Sequence, residues 1–233
     1  MRERVLVTGG SAGIGQAIAA QSLIDGYDVI VIDRDSSADI RADLSDPDQT
    51  ARALRTALQS GPITRLVNNV ATVRPGLVEE QTIEDLDRAV SLNVRCSLQC
   101  LQAVLPGMKA SGFGRIVSIA SRALLGKERR TVYAASKAAL LGMTKVWGLE
   151  LGRHGITANV VAPGPIRTAL FDEVNPADSP DTKAIIDAIP VRRIGVPIDI
   201  AHAVSFMLDR KSGFVTGQVL YVCGGMTIGS AGT

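Results

Sequence analysis

The sequence predicts a single α/β domain spanning residues 1–233: a doubly wound, seven-stranded parallel sheet with helices on both faces. Three observations carry this. Strand-like and helix-like stretches alternate along the chain, the strand-like stretches are nearly continuous apolar runs, and the composition shows no break, repeat or low-complexity tract over 233 residues. Continuous apolar strands belong to sheets buried on both sides, which is how crossover helices leave a parallel sheet. The length suits one large domain with a substantial core.

The first apolar run, Arg4–Thr8, ends in Gly9-Gly-Ser-Ala-Gly-Ile-Gly15, and Gln16–Ile24 follows with apolar residues at helical spacing. Asp28–Asp33 is the second strand and ends in an acid. Ala38–Leu44 alternates and reads as the third strand, with a helix starting near Pro47. Ile63–Asn69 is the fourth strand, and a helical stretch from about Ile83 to Met108 can be one continuous element. Gly114–Ala120 is the fifth strand. Tyr133 to about Leu151, rich in Ala, Leu, Met and Lys without proline, is a long helix. Ile156–Ala162 is the sixth strand, Pro163 to Pro180 reads as an exposed loop, Asp199–Leu208 as a helix and Gln218–Val222 as the last strand. One spacing is unusual. Only Arg34–Ala38 separates strands two and three, where a parallel crossover usually needs a dozen or more residues. Either the return is an extended loop without a helix, or one of the two strands is misread.

Apolar residues make up 46% and charged residues 21%, the balance of a folded chain. A net charge of +2, with no basic stripe interleaved with aromatics, gives no expectation of nucleic acid as a partner. No apolar run reaches membrane-spanning length, and Met1-Arg-Glu-Arg4 runs straight into a strand rather than a signal segment. A cytoplasmic protein without a membrane partner is expected. The three cysteines lack metal-like spacing and no metal is expected; Cys96 and Cys100, four apart, read as small buried hydrophobes.

Tyr133 and Lys137 lie one helical turn apart on one face. A phenol has a reference pKa of about 10, so ionisation near neutrality needs roughly 4 kcal/mol. One ammonium at about 4–5 Å supplies roughly 3–4 kcal/mol at an effective dielectric of about 20. The pair can therefore make a proton carrier, although the same spacing also occurs as an ordinary helix pair.

The Gly9–Gly15 turn follows a strand and opens a helix, the context in which backbone N–H groups and the helix dipole receive a pyrophosphate. Its spacing is G-x-x-x-G-x-G, without the Lys-Ser/Thr of a P-loop. Asp33, about twenty residues on, is placed to accept hydrogen bonds from both ribose hydroxyls and would repel a 2′-phosphate. No Arg or Lys within the turn counters it, although Arg34 is adjacent, so NAD is favoured and NADP remains open. Gly9-Gly-Ser11-Ala-Gly13 also fits an esterase nucleophile turn. That reading needs a later acid and histidine, and the turn follows the wrong strand.

Taken in order, Thr8–Gly15, Asn68-Asn-Val-Ala71, Ser91-Leu-Asn93, Ser118-Ile-Ala-Ser121, Tyr133-Ala-Ala-Ser-Lys137, Asn159-Val-Val-Ala-Pro-Gly164 and Thr216-Gly-Gln218 resemble the short-chain dehydrogenase/reductase family, from Thr8 to about Gly225. The resemblance implies a Rossmann fold and a hydride exchanged between a nicotinamide cofactor and a secondary alcohol or ketone. It implies Tyr133 as general acid/base and Lys137 as the group that lowers its pKa and holds the nicotinamide ribose. Ser121 would polarise the carbonyl, and Asn93 would hold a water linking Lys137 to solvent. As Asn93 falls inside a helical stretch, a local kink is expected there. For the cofactor the resemblance implies Gly9, Ser11, Gly13, Ile14 and Gly15 in the turn and Asp33 at the ribose. It adds Asp43 and Leu44 at the adenine, Asn69, Val70 and Ala71 beside the adenosine ribose, and Pro163, Gly164, Ile166 and Thr168 at the nicotinamide. Helices of this kind pair across two-fold axes in the family, which implies a homotetramer or homodimer.

Three departures stand out. The usual Asn-Asn-Ala-Gly is Asn68-Asn-Val-Ala71, which implies a tighter adenosine wall. Cys223 stands where an acid is usual before Gly224-Gly225, and the helix between strands two and three is missing. Substrate choice would come from the loop at about 165–190, read as a lid that is mobile without ligand, and from Arg122–Arg130. The four basic residues of that stretch suit a carboxylate or an acyl carrier's phosphates, or else a solvated face. A 3-oxoacyl-carrier-protein or CoA reductase using NADP is an alternative activity. So is a non-catalytic dinucleotide-binding regulator, which would keep the glycine turn but lose Tyr133 or Lys137.

Overall fold

A computed structural model describes residues 2–176 and 179–229 of the protein. Its strands are β1 (Arg4–Thr8), β2 (Asp28–Asp33), β3 (Ile40–Arg41), β4 (Arg65–Asn68), β5 (Gly114–Ile119), β6 (Ile156–Pro163) and β7 (Val219–Val222). They form one parallel sheet in the order β3-β2-β1-β4-β5-β6-β7. Period-two alternation divides the core. Leu6, Leu66 and Ile116 face α2 (Pro47–Leu58), α4 (Cys96–Ser111) and α5 (Thr131–Leu151). Val5, Val7, Val67 and Val117 face α1 (Gly13–Ile24) and α8 (Pro197–Leu208). The order of strands reverses between β1 and β4, which opens a crevice beyond their carboxyl ends.

The unusual spacing resolves as an extended return. Strand β3 is Ile40–Arg41 only, shorter than the expected Ala38–Leu44, and pairs Ile32 with Ile40 and Asp33 with Arg41. With so little overlap the chain climbs back only about 3–7 Å, and residues 34–39 cover that without a helix. Asp39, exposed beside β2, accepts the Val31 N–H at 2.8 Å.

The middle chain keeps its expected continuous helical stretch, and one reading of the late chain changes. The stretch expected from Ile83 to Met108 is α3 (Ile83–Ala89), a π-helical segment (Val90–Arg95) and α4 in continuous succession. The segment expected to be a loop from Pro163 to Pro180 contains α6 (Ala169–Val174) and the start of α7 (Pro180–Asp187). Thr168 caps α6 by accepting the Phe171 N–H at 3.3 Å, and Ser179 caps α7 by accepting that of Thr182 at 3.1 Å. Pro, Asp, Ser and Thr mark helix starts as readily as loops. Residues 177 and 178 of the expected lid lie outside the described residues.

At the opposite end of the sheet Arg65, fully buried, lies between the rings of Tyr27 and Phe113. It donates to Leu208 O at 2.9 Å and pairs with Glu3 at 2.9 Å. Arg115 similarly donates to the carbonyls of Asp209 and Arg210. The two arginines tie β4 and β5 to the end of α8.

Candidate active site

The expected catalytic residues gather where β5 ends. Ser121 follows that strand and caps a short turn, Arg122–Leu125, by accepting the Ala123 N–H at 3.2 Å. Tyr133 and Lys137 come from the first two turns of α5. Lys137 is 2% exposed, and its Nζ donates to Ile119 O at 2.6 Å and sits 5.8 Å from the centre of the Tyr133 ring. Burial without a counter-charge lowers its pKa to about 7.

Tyr133 corrects one expectation. Burial raises its pKa, while the Ser121 hydroxyl and the charge of Arg130 pull it down. The expected dominance of Lys137 over the phenol is not what this arrangement gives. The amine is committed to a carbonyl and loses much of its charge near neutrality. Arg130, counted in the sequence only as part of a basic stretch, supplies the positive charge. Its position depends on pairing between Gly76 and Arg130 across distant loops, which sequence spacing does not reveal.

Asn93 is 1% exposed, and the helix does deform around it: it lies in the π-helical segment, a form of helix common at functional sites. Its side chain accepts the Thr72 N–H at 2.8 Å and donates to Thr72 O at 3.1 Å and to Ser136 Oγ at 2.9 Å. Ser136 Oγ in turn donates to Tyr133 O at 2.8 Å. Asn93 thus staples the loop after β4 to the turn of α5 that carries Tyr133 and Lys137. Thr72 and Ser136 are partners of Asn93 that sequence reasoning missed; Ser136, immediately before Lys137, was the more visible of the two.

The glycine turn packs as tightly as its composition suggests. Gly9 and Gly13 have φ of +66° and +54°, a region favouring glycine. A Cβ on Gly15 would lie 2.0 Å from Gly9 O. Thr8 Oγ1 accepts the N–H groups of Asn69 and Val70, and Asn69 Nδ2 donates to the carbonyls of Thr8 and Gly9. These bonds lace β1 to β4 across the crevice. Val70 packs over Gly9, its Cα 2.9 Å from where a Cβ on that glycine would stand. Asp33 accepts the N–H groups of Ser11 at 3.1 Å and Arg34 at 2.7 Å, so the carboxylate stands directly at the turn.

From the other side, Thr168 Cγ2 would be 3.3 Å from a Cβ on Gly13. Gly164 fits tightly against Cys223 and donates to Val222 O at 2.9 Å. Ile166 is buried in a short bridge with Gly195. The remaining expected contacts are uneven. Asp43 is held by Ser45, and Ala71 is exposed at the end of the turn. Ile14 packs on the α1/α8 core, and Leu44 lies in the core against α2 and α4. Leu44 can therefore offer a ligand its backbone but not its side chain.

A dinucleotide fits this crevice on two local grounds. The N-terminus of α1 has no side-chain cap, whereas Asp46 caps α2, so the first N–H groups of α1 remain for an anion. The Ser11 hydroxyl at the same turn is buried without a partner among the described residues. Beside the crevice lies a cavity of about 710 Å³. Ser121, Arg122, Lys127 and Arg130 line its polar side; Phe171, Ile185 and Met226 are among its apolar walls. Among the described residues no group of three or more His, Cys, Asp or Glu could hold a metal ion, and no helix is long and apolar enough to cross a membrane.

The chain is similar to known proteins over nearly its whole length. Residues 9–227 match the family profile adh_short_C2, described as enoyl-(acyl carrier protein) reductase. The (2S)-[(R)-hydroxy(phenyl)methyl]succinyl-CoA dehydrogenase subunit BbsD of Thauera aromatica is 36% identical, over 96% of each chain. The 3-oxoacyl-[acyl-carrier-protein] reductase MabA of Mycobacterium tuberculosis is 34% identical, over 97% of this chain and 93% of its own. Among solved structures, a blue fluorescent protein from a metagenomic library, in complex with NADPH, aligns with a TM-score of 0.88 at 36% identity, covering 97% of this chain and 98% of its own. An oxidoreductase from Burkholderia thailandensis aligns with a TM-score of 0.90 at 27% identity, covering 99% and 94%.

Proposed function

The chain belongs to the short-chain dehydrogenase/reductase family, and from that premise we propose an NAD-preferring oxidoreductase of secondary alcohols and ketones with Tyr133 as its proton carrier. The observation that carries this is the Tyr133 phenol beside the Ser121 hydroxyl, next to a cavity large enough for a small molecule. When bound, a nicotinamide dinucleotide supplies or accepts the hydride. The chain's own residues bind, orient and move the proton. Ser121 donates a hydrogen bond to the substrate oxygen. In reduction Tyr133, held protonated by burial, gives its proton to that oxygen; in oxidation it takes the proton away. Lys137 anchors this end of α5 to β5, and its pKa of about 7 lets it change charge near neutrality. Asn93 positions both through Ser136.

The turn residues Gly9, Ser11, Gly13, Ile14 and Gly15 would hold the pyrophosphate side, with Asn69, Val70 and Ala71 at the adenosine ribose and Asp43 and the Leu44 backbone at the adenine. Pro163, Gly164, Ile166 and Thr168 would flank the nicotinamide. Asp33 underlies the NAD preference, because a carboxylate fixed at the turn repels a 2′-phosphate. A second reading, a 3-oxoacyl-thioester reductase using NADP, draws support from the MabA relative, the NADPH-bound neighbour, and Arg34 beside Asp33. Following absorbance at 340 nm with NAD(H) or NADP(H) across alcohols and ketones tests the activity; no change with any pair contradicts it. Asp33→Ala is expected to weaken NAD by roughly tenfold, the loss of about one charge-assisted hydrogen bond, and to erase discrimination against NADP. An unchanged ratio removes Asp33 from cofactor choice.

The same proposal includes a homotetramer or homodimer, supported by exposed Leu149 on α5, Phe206 on α8 and Phe214. It also includes a cytoplasmic setting, supported by three buried cysteines without a disulfide.

A further inference from the structure

The residues around the cavity carry an unbalanced charge. Arg122, Lys127 and Arg130 line it, and among the described residues no aspartate or glutamate does. Among the described residues none of the three forms an ion pair with a carboxylate. Their neighbour Arg129 shows that the arrangement is sorted rather than a uniform basic surface. Arg129 has a left-handed backbone, φ +62°, and turns outward to pair with Glu80 at 3.4 Å. The same loop is fixed where Gly76 donates to Arg129 O at 3.1 Å and pairs with Arg130. Consecutive arginines thus serve different sides: Arg129 is neutralised outside, and Arg130 faces the cavity. Like charges brought together without a counter-ion repel, and Lys127 registers this, since burial and the charges of Arg130 and Arg122 all lower its pKa. An anion entering the cavity would relieve that repulsion, while Ala123, Phe171, Ile185 and Met226 give its carbon skeleton an apolar bed.

We propose that the substrate is an oxo or hydroxy compound bearing an anionic group, seated among Arg122, Lys127 and Arg130 while its reacting oxygen meets Ser121 and Tyr133. This deepens the oxidoreductase reading and rests on it for the position of the reacting oxygen. The anion is a carboxylate of the substrate itself or a phosphate of a carrier thioester; both present the same chemistry to the three cations.

The test compares 3-oxohexanoate, its methyl ester and its CoA thioester with the cofactor-loaded protein. Turnover is followed at 340 nm, and binding by calorimetry. The expected result is a kcat/KM at least tenfold higher for an anionic form than for the ester. That ratio should fall at least tenfold in Arg122→Met and in Lys127→Met and decline with added salt. Preference for the acid identifies the carboxylate as the anion, and preference for the thioester alone identifies the phosphates. Tighter calorimetric binding of an anion without turnover of any of the three would remove the hydride-transfer reading and uphold the anion site. Equal treatment of ester, acid and thioester, in turnover and in binding, overturns the anion site and leaves the oxidoreductase reading intact.

Discussion

Lys137 carries a cost that the fold accepts at the proposed active site. The amine is sealed from water, has one carbonyl partner, and has its pKa lowered from 10.5 to about 7. A lysine depressed in the folded state binds fewer protons there than when unfolded. Stability therefore rises with pH between about 7 and 10.5, and the penalty is fully present below about 7. Lys137→Met fills similar space without the charge, leaving Ile119 O without its donor. The variant is expected to gain about 1–3 kcal/mol at pH 6, roughly 2–12 °C in melting temperature, and to lose activity. Its advantage should shrink as pH rises toward 10. Thermal melts across that range check this, and a variant less stable than the parent at pH 6 contradicts it. The type and spacing of Tyr133 and Lys137 were legible in the sequence. What tunes each was not, because Ile119 O and Arg130 reach the pair only through the sheet and a loop pinned at Gly76.

Among the elements, those with one strong signal were read well. Strands β1 and β2 end as expected, because a continuous apolar run is cut off by glycine or acid. Strand β3 was overdrawn because the alternation in Ala38–Leu44 runs on past Ile40–Arg41 into the turn that leads to α2. The helices α6 and α7 were missed because they are short and their caps resemble loop residues. The glycine turn was legible as a turn, and the structure adds why Gly15 admits no substitute. Its Cβ would sit 2.0 Å from a backbone carbonyl that cannot swing away without unlacing Asn69. Gly15→Ala is expected to cost about 3 kcal/mol or more, at the upper end of overpacking effects. It should also weaken cofactor binding through the displaced start of α1. Urea unfolding and cofactor titration measure both, and a near-neutral result would mean the turn has slack that its packing denies.

At the scale of the molecule, one sheet serves two purposes at its two ends. Its amino ends are clamped by Arg65 and Arg115 against the close of α8, far from the chemistry. Arg65→Met breaks a buried cation's bonds to Leu208 O and Glu3, and is expected to cost about 3 kcal/mol. At low temperature kcat/KM should stay within about twofold. A melting temperature equal to the parent's would show the clamp to be ornamental. The carboxyl ends bring Ser121, Tyr133, Lys137 and Asn93 to one crevice, and on this the functional account depends. Tyr133→Phe removes the one hydroxyl assigned to carry the proton and leaves the ring in place. Turnover of the best substrate is expected to fall by about 10²–10⁴-fold while the cofactor dissociation constant stays within about threefold. Turnover near the parent's level, with the cofactor still bound, would mean that the proton travels through another group.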